Sequence, residues 1–559
     1  MDAAVLCSSS LERPLFPAIC GDVIVPQTFS RRSLLRGGAG AVVAGMAASL
    51  ADDALTPDAA HAAAWHSQLV HPGGDGRLVY KADPRGKMIP DFSWAGYRNG
   101  ERAIPSVPVV KEIGPVSGDN TAHIQAALDE VGAMPLTSSG FRGALLLKAG
   151  HYRVGGVIKM RRDGVVLRGV GRWADPSVNT VITGTADGSA STVLWVGGTS
   201  GEWDTRVSGT TTGVTSSLVK AGERRLTLAS TANLKVGDNI IICHPHTQEW
   251  TDAVNGGGVN KDAPWSPGTL PIIYNRYIKE IVGADIVIDA PVFNDLRRSL
   301  SQSYVYVWDQ AGLVRNVGVE DLRIDMGNPS PYSEEHPQSC IIVSRAEDAW
   351  VKECKLVQFS ISGVYVQRST RVTIQSVAAG YPCSSIVGGK RTNFCADYRA
   401  QQVLFRDLES TYARHAFGAS GRSTCSGIVW LNGTSEHGYA ESGGHHKWSQ
   451  GLLYDNIREL SSQSDKDWVL GLFNRGDQGE SHGWSSVHSV AWNCTVDNGK
   501  KVCVQTPPTA QNYAIGTTGA VTGVNWHTNH QIGYVEGTNR PGLAPNSLYL
   551  AQLADRLNG

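Results

Sequence analysis

Hydrophobic positions recur along the chain in short alternating segments rather than in long helical stripes. The repeated unit is an apolar residue, a brief alternation, one small or polar residue and a second apolar stretch, as in VGVEDLRI, WVKECKLV, VLFRDLES and LLYDNIRE. Successive units are about 22 to about 38 residues apart, counted between their polar positions: Asp321, Cys354, Ser376, Asp407, Asn432, Asn456 and Cys494. Sandwich strands would recur every ~8–12 residues with hairpin turns. The pattern therefore predicts an all-β parallel solenoid, a β-helix.

Helical spacing occurs near the start of this region and again at the end of the chain. The stretch SGDNTAHIQAALDEVGA predicts a helix with Asp119 or Asn120 as its N-cap. One face of that helix is apolar, and it carries Ile124, Ala127, Leu128 and Val131. Short strands separated by glycine turns follow in GALLLKAGHYRVGGVIKMRRDGVVLRGVG. The final LYLAQLADRL predicts a short helix that closes the structure rather than acting chemically.

One segment, roughly 201–300, breaks the rhythm of the coils. RRLTLASTANLKVGDNIIICHP and NRYIKEIVGADIVIDAPV predict the strands of a small antiparallel barrel or sandwich inserted between coils. A long loop between them carries Trp250 and Trp265. These rings would either stack on the C–H faces of sugars or pin the insert to the solenoid.

The first 62 residues have the features of an export signal. Arg31 and Arg32 precede a small-residue apolar run, and AHA at 60–62 supplies a cleavage pattern. This segment resembles a bacterial twin-arginine signal, and we expect cleavage near Ala63 and secretion. The run 37–50 is too short to span a bilayer comfortably, so no membrane association is expected after cleavage. The mature chain divides into 63–200 with the capping helix and first coils, the insert 201–300, the main coils 301–500, and a C-terminal edge and capping segment 501–559.

Charge and composition narrow the classes of partner. The chain has 50 basic and 51 acidic residues, so no general field attracts it to nucleic acid or to an anionic membrane. A polyanionic substrate would need a local basic site. With 63 glycines and 15 tryptophans the composition suits a turn-rich β architecture with exposed rings. Eight of the ten cysteines follow the leader without CxxC pairs, and we expect most to be buried hydrophobes rather than disulfides.

A family resemblance supports the solenoid. GDNTAHIQAALDEV followed by GALLLKAGHYRV and GVVLRGVG resembles the opening of right-handed parallel β-helices of the pectate-lyase superfamily, and the similarity of pattern runs from about Asp91 to about Asp497. The resemblance implies a right-handed β-helix whose N-terminal end is capped by a helix. It leaves the reaction open, because the superfamily contains lyases, hydrolases, epimerases and phage depolymerases.

Three polar clusters fall in successive late coils, in YARHAFGASG, GGHHKWSQG and NRGDQGESHGWSS. Equivalent positions of adjacent coils stack about 4.8 Å apart, so clusters of similar phase would line one groove. The stretches RHAF, HHKWSQGLLYDN and NRG…SHGW…WNC also resemble a recurring signature of secreted bacterial β-helix proteins described as pectate-lyase-like. That resemblance implies the location of the site. Its candidate residues are Arg414, His415, His445, His446, Lys447, Asn474, Arg475 and His482.

This inventory suits β-elimination on a polysaccharide that contains uronic acid. The reaction removes the proton next to the uronate carboxyl group, so the carboxylate must be neutralised while enolate-like charge develops. Arg414 or Arg475, with Asn474, are the candidates for that role.

A proton acceptor and a proton donor complete the reaction. His445, His446 or Lys447 would accept the proton if neighbouring cations lower its pKa. His415 or His482 is the candidate acid that assists the leaving oxygen. The sequence does not distinguish among these roles.

Two other functions fit the same fold. A glycoside hydrolase needs two or three converging carboxylates, and the candidates are Asp455, Asp477 and Glu480. That hypothesis is weaker because Asp477 and Glu480 share one loop. A noncatalytic carbohydrate-binding protein would instead depend on aromatic platforms, for which the candidates are Trp430, Trp448 and Trp484.

Metal dependence is not firmly implied. The compact aspartate cluster that binds calcium in pectate lyases has no counterpart, because the nearest carboxylates are scattered: Asp397, Asp407, Glu436 and Glu441. Calcium is left open. Zinc bound by His445 and His446 with His415 and His482 is disfavoured, because adjacent histidines on a strand point to opposite faces. The particular polysaccharide and the oligomeric state are also left open.

Overall fold

The computed structural model describes residues 64–259, 265–526 and 528–559. The predicted export signal lies outside the described residues. The predicted parallel β-helix is confirmed, since the strands of successive coils pair in parallel in two long sheets. In cross-section a full coil has three strand faces, which we call faces A, B and C.

Faces A and B belong to one sheet and follow each other around a corner of the coil. The strands of face A are Val109–Ile113, Gly143–Leu147, Val165–Arg168, Val314–Glu320, Ala346–Lys352, Thr370–Gln375, Ser449–Asp455, Ser486–Val487, Val490–Trp492, Tyr513–Ile515 and Tyr534–Glu536. Those of face B are Gly150–Val154, Thr180–Gly184, Arg323–Asp325, Lys355–Val357, Ala378–Gly380, Arg458–Leu460 and Thr495–Val496. Two long strands, Gln401–Thr411 and Ser426–Glu436, run through both faces.

Face C is a separate ten-stranded sheet in which each strand pairs in parallel with the next along the chain. Its strands are Ile158–Met160, Leu194–Val196, Ser339–Ser344, Ser362–Gln367, Thr392–Ala396, His415–Ala419, Ser442–Gly444, Trp468–Leu472, Lys501–Val504 and Ala520–Thr522. Gly418 pairs with Gly443 and Gly443 pairs with Gly471, so glycines occupy paired positions of three successive strands. Face C therefore leaves room for longer side chains at its strand ends.

The polar residue of the repeated sequence pattern marks the corner between faces A and B. Asp407, Asn432 and Asn456 have φ of 56°, 55° and 57°, a left-handed conformation that Asn and Asp tolerate better than other side chains. The Asn432 Nδ2 atom donates to Asp407 Oδ1 at 3.0 Å, and Asn456 Nδ2 donates to Asn432 Oδ1 at 3.4 Å. Asn493 Nδ2 continues the ladder to Asn456 Oδ1 at 2.7 Å. In the coils that carry Cys354 and Cys494, the left-handed residue is the one before the cysteine, at Glu353 and Asn493.

This ladder leads to a prediction about stability. Replacing Asn432 with alanine removes two ladder bonds and places a Cβ-bearing residue without a compensating side chain in the left-handed region. We expect the free energy of unfolding to fall by about 1–2 kcal/mol. Urea denaturation followed by circular dichroism measures the change. The matched variant Asn432→Gly removes the same bonds without the conformational penalty and should lose less; an equal loss would place the cost in the bonds alone.

The interior of the solenoid is a continuous apolar core with stacked rings. Trp430 lies between Phe405 and Tyr454, with centroid distances of 5.7 and 4.7 Å. All eight cysteines of the described residues are free and buried, as expected for small core residues. The core therefore depends on packing between coils and on the closure of its ends.

The helix Thr121–Ala133 covers the N-terminal end of the solenoid core. Its N-cap is Asn120, and the Asp119 carboxylate accepts a hydrogen bond from the Thr121 amide at 2.9 Å. The apolar face is the predicted one, with Ile124, Ala127, Leu128 and Val131 buried. This helix packs against the first strands of faces A and C.

The predicted C-terminal helix is also present, at Leu548–Asn558, with the Ser547 hydroxyl accepting from the Leu550 amide. It packs against the N-terminal segment, where Gln552 accepts from the Phe92 amide at 2.9 Å. The remaining short elements are the strands Val70–Pro72 and Leu78–Tyr80 and the one-turn helices Tyr97–Gly100, Gln248–Ala253, Asn255–Gly257, Arg422–Thr424 and Gln478–Ser481. Within the described residues, every helix falls short of the length and apolarity needed to cross a membrane.

The segment that interrupts the coils forms an antiparallel sheet lying against face A. Its strands are Thr212–Gly213, Arg225–Thr227, Asn239–His244, Ile272–Val282, Asp285–Ile288 and Tyr304–Val307, and Leu218–Val219 pairs separately with Leu296–Arg297. Arg276 is fully buried and donates to the Gln401 side chain of face A at 2.9 Å. The insert therefore covers face A and leaves face C open.

Candidate functional site

The three polar clusters meet on face C. The strand His415–Ala419 is followed in the ladder by Ser442–Gly444 and Trp468–Leu472, so the ends of three coils lie side by side. A cavity of about 450 Å³ opens there. Its polar lining consists of Tyr365, Thr392, Asp397, Arg414, His415, Ser420, Arg422, His445, His446, Glu480 and His482.

Arg414 and His415 form one fixed unit in this cavity. The Arg414 Nη1 atom donates to His415 Nε2 at 2.8 Å, and His415 Nδ1 lies 2.6 Å from the Glu441 carbonyl oxygen. Because guanidinium can only donate, Nε2 is the acceptor and the proton of the neutral ring is on Nδ1. His415 thus holds Arg414 in place and has no proton free for a substrate. Its predicted role as an acid is wrong on this geometry.

Three imidazole rings are gathered around His445. Its ring centroid lies 4.8 Å from that of His415, 5.4 Å from that of His446 and 4.9 Å from that of His482. The expectation that His445 and His446 point to opposite faces is also wrong. The strand ends at Gly444, and Lys447 and Trp448 have φ of 56° and 70°, so regular alternation stops before the two histidines.

These imidazoles are neutral at physiological pH. Burial, together with the nearby Arg422 charge, lowers the pKa of His446 to about 4. Burial likewise lowers the pKa of His482 to about 3, and it holds the pKa of His445 well below the usual range. The Nδ1 atoms of these three rings are buried without a hydrogen-bond partner in the described residues. They are therefore suited to accept a proton and not to donate one from an imidazolium.

Arg475 lies behind the cavity rather than in its lining. Its guanidinium forms an ion pair with Glu441, which also contacts Lys466 Nζ at 3.4 Å. Arg475 and Glu441 are both almost fully buried. Because the Arg475 charge is neutralised by Glu441 and the side chain is outside the cavity lining, the predicted use of Arg475 as a carboxylate binder is wrong.

Asp397 is a lining residue that the sequence analysis did not assign to the site. It follows the strand Thr392–Ala396, and the ladder register places Ser420 and then His445 at the equivalent positions of the next two coils. Burial raises the pKa of Asp397 to about 6, while the Tyr398 amide and Arg422 oppose that shift. Counting residues from one strand to the next would have aligned Asp397 with His445. The two positions are two coil spacings apart along the solenoid, or about 10 Å.

The second carboxylate of the cavity is Glu480. Arg422 Nη2 donates to its Oε2 atom at 3.4 Å, and Glu480 is largely exposed. Of the three hydrolase candidates, only Glu480 lines the cavity. Asp455 lies on face A, where its Oδ2 atom accepts from the Ser547 hydroxyl and the Tyr549 amide at 2.7 and 2.8 Å. Asp477 is outside the lining, as is the half-buried Lys447.

The tryptophans predicted as sugar platforms are buried. Trp430 belongs to the solenoid core, and Trp448 packs with Trp250 and Trp265 at centroid distances of 5.3 and 6.2 Å. Trp265 also donates from Nε1 to the Ser481 carbonyl oxygen at 3.1 Å. The insert loop is thus pinned to the coils by these rings, and a sugar-stacking role for them is excluded.

Trp484 and Asn474 have structural roles at the same junction. Trp484 is buried against the His530 ring at 4.8 Å. Asn474 is fully buried and donates from Nδ2 to the Gly257 and Gly258 carbonyl oxygens, both at 3.2 Å. Both residues attach the insert loop, and neither contacts substrate space. Within the described residues, no group of three or more His, Cys, Asp or Glu side chains has the arrangement of a metal site.

No protein-family model matches the chain, and no curated protein matches it. Solved structures match at low identity. The tailspike protein gp49 of Pseudomonas phage LKA1 is 16% identical with a TM-score of 0.44, over 72% of this chain and 64% of that one. The Streptococcus pneumoniae surface protein and adhesin PfbA is 9% identical with a TM-score of 0.41, over 77% and 86%. The endo-xylogalacturonan hydrolase of Aspergillus tubingensis is 8% identical with a TM-score of 0.34, over 76% and 92%. The chain thus spans less than two thirds of the length of the phage tailspike.

Proposed function

We propose that the chain is a secreted carbohydrate-active enzyme that cleaves a polysaccharide containing uronic acid by β-elimination at the face C cavity. One observation carries the proposal: Arg414 lines the same cavity as three neutral imidazoles. No carboxylate of the described residues forms an ion pair with Arg414. A desolvated cation held by His415 in this way is suited to a substrate carboxylate.

Arg414 has the geometry to neutralise a uronate. One of its nitrogens is fixed on His415 Nε2, and the remaining N–H groups are available to a planar carboxylate. Charge that moves onto the carboxylate as the neighbouring proton leaves would be stabilised by these fixed donors, in surroundings from which water is partly excluded. Burial lowers the pKa of Arg414, which still leaves the guanidinium charged at neutral pH.

His446 is the proton acceptor in this proposal. It is half-buried and therefore reachable, and its neutral ring faces the cavity beside Arg422. A bound uronate would raise its proton affinity and help it accept the proton. Asp397, which stays protonated up to about pH 6, would donate a proton to the leaving oxygen.

These assignments predict the pH dependence of kcat/KM. His446 must be neutral, so the rate should rise as the pH increases through about 4, whereas Asp397 must be protonated, so the rate should fall as the pH increases through about 6. A pH profile on the preferred polysaccharide measures both limbs. In Asp397→Asn the upper limb should disappear together with most of the rate, because an amide does not titrate. An unchanged upper limb in this variant would show that another group causes it.

Hydrolysis is the second candidate, favoured by the pairing of Asp397 with Glu480 in one cavity. A protonated carboxyl group and an ionised one are the two groups that a glycosidase requires. Glu480 would be the ionised partner beside Arg422. The Glu480→Gln variant should abolish hydrolysis, whereas it should leave elimination within about threefold of the original rate, because Glu480 has no role in the elimination.

The proposal is tested by incubating the purified mature chain with a panel of uronate polysaccharides, with and without chelator. Elimination creates a conjugated double bond that absorbs in the near ultraviolet, and hydrolysis creates reducing ends without that absorbance. Rising absorbance supports the lyase. Reducing ends alone would replace it with the hydrolase, and neither signal would favour a binding protein. Comparing the rates with and without chelator tests whether the reaction requires calcium, which the sequence leaves open.

Trp526 is the exposed ring best placed to extend the binding groove. It is 57% exposed, packs edge-on against Trp468 at 5.6 Å and lies 5.7 Å from Lys466 Nζ, which contacts Glu441. We expect Trp526→Ala to weaken polysaccharide binding roughly tenfold through the loss of sugar stacking. Affinity electrophoresis measures this effect. The control Trp173→Ala removes a ring that is 59% exposed beside Lys355 of face B and should change nothing; equal losses would place the binding surface elsewhere.

A further inference from the structure

A second cavity lies on face A, whereas the candidate site lies on face C. It has a volume of about 660 Å³ and is bordered by the N-terminal segment, the insert and one face A coil. Its apolar wall includes Met88, Ile89 and Leu218, and its polar groups include Asp295 and His488. Apolar walls with a few convergent polar groups are characteristic of small-molecule sites.

His488 is the most unusual group in this cavity. It lies between the face A strands Ser486–Val487 and Val490–Trp492, is 1% exposed and borders the cavity. Neither of its ring nitrogens has a hydrogen-bond partner in the described residues. A neutral imidazole offers one N–H donor and one acceptor, and leaving both unused in a buried position is costly. A ligand hydroxyl group, which both donates and accepts, would satisfy this pair.

The neighbouring charges are already compensated. Asp295 accepts from Lys87 Nζ at 2.7 Å, from Arg297 Nη2 at 3.1 Å and from the Ala221 amide at 3.0 Å. The Asp295 carboxylate is therefore compensated without using the His488 ring. Arg85, Lys220 and Glu223 are exposed lining groups. Among the buried polar side chains of the lining, His488 is the one with unpaired ring nitrogens in the described residues, and it shares the cavity with the apolar Met88, Ile89 and Leu218. Pyranose rings present this combination, with hydroxyl groups on the ring edge and C–H groups on the ring face.

We propose that this cavity binds a saccharide of one or two residues, with ring hydroxyl groups on His488 and a C–H face against Met88 and Leu218. The site is independent of the reaction proposed for face C, because the two cavities share no residue. It would give the protein an accessory sugar site beside its groove.

Saturation-transfer NMR on the purified mature chain tests the proposal. The probes are galactose, glucose and neutral disaccharides containing them, each at millimolar concentration, so that no probe carries the carboxylate that the face C cavity is proposed to bind. We expect transfer to at least one probe and at least a tenfold loss of its affinity in His488→Phe, which keeps the ring volume but removes both nitrogens. Met88→Trp, which obstructs the cavity from a residue that is 42% exposed, should have the same effect without altering the core.

His446→Ala, in the other cavity, is the matched control and should leave this binding unchanged. The proposal is overturned if no probe binds, if binding survives Met88→Trp, or if His446→Ala removes it. If His488→Phe does not fold, the loss or retention of binding in Met88→Trp decides whether this cavity is the sugar site. Failure here would leave the face C reaction unaffected, since that reaction is measured by product formation.

Discussion

Replacing His446 with alanine is expected to lower kcat/KM on the preferred polysaccharide by about 100-fold to 10,000-fold, the usual contribution of a positioned general base. The ring is half-buried and its Nδ1 atom has no hydrogen-bond partner in the described residues, so thermal stability should change little. Initial rates of near-ultraviolet absorbance give the first quantity, and affinity electrophoresis shows whether binding is retained.

The matched control is His66→Ala, which removes an exposed histidine of the N-terminal segment. It should have the activity of the unmodified chain. Lost turnover with retained binding in His446→Ala would also count against a noncatalytic carbohydrate-binding protein. Turnover within threefold of the original would remove His446 from the mechanism, and His445 and His482 would then be the remaining imidazoles to test.

Arg414→Ala should lower kcat/KM by about 100-fold to 1,000-fold, the loss seen when one fixed donor to a developing anion is removed. Arg414→Lys keeps the charge but loses the planar fork that spans His415 and a carboxylate, so we expect only partial recovery. Steady-state kinetics on the polymer measure both variants. Arg161→Ala, which removes an exposed cation, serves as the control for net charge.

The outcome that would contradict this role is full activity in Arg414→Lys. In that case the charge alone would be sufficient, and the bond from Arg414 to His415 would have no function in catalysis. Full activity in Arg414→Ala would contradict the carboxylate-binding role altogether.

Much of the fold could be predicted from the sequence because a parallel β-helix repeats its constraints. Asp407, Asn432 and Asn456 recur where each coil must adopt a left-handed corner, so they mark the coils directly. The helix Thr121–Ala133 was predictable from its apolar spacing. The gathering of His415, His445 and His482 also followed from the succession of coils, since residues of similar phase in a solenoid stack.

The roles within the site could not be predicted in the same way, because they depend on which face is covered and where each strand ends. The insert lies on face A and buries Trp448 and Trp484, which resembled free platforms in sequence. His445 and His446 share a cavity because the strand stops one residue before them. Asp397 was considered only as a scattered carboxylate because it lies two coils earlier, and only strand register reveals its alignment with His445.

The most direct test of elimination at face C is the mass of the products formed in water enriched in ¹⁸O. Elimination adds no water, so its products should be unsaturated and free of the label at early times. Hydrolysis places one solvent oxygen at each cleaved bond. Unlabelled, unsaturated products that disappear in His446→Ala are the predicted result. Labelled, saturated products would contradict the account and assign the cavity to Asp397 and Glu480 as a hydrolase.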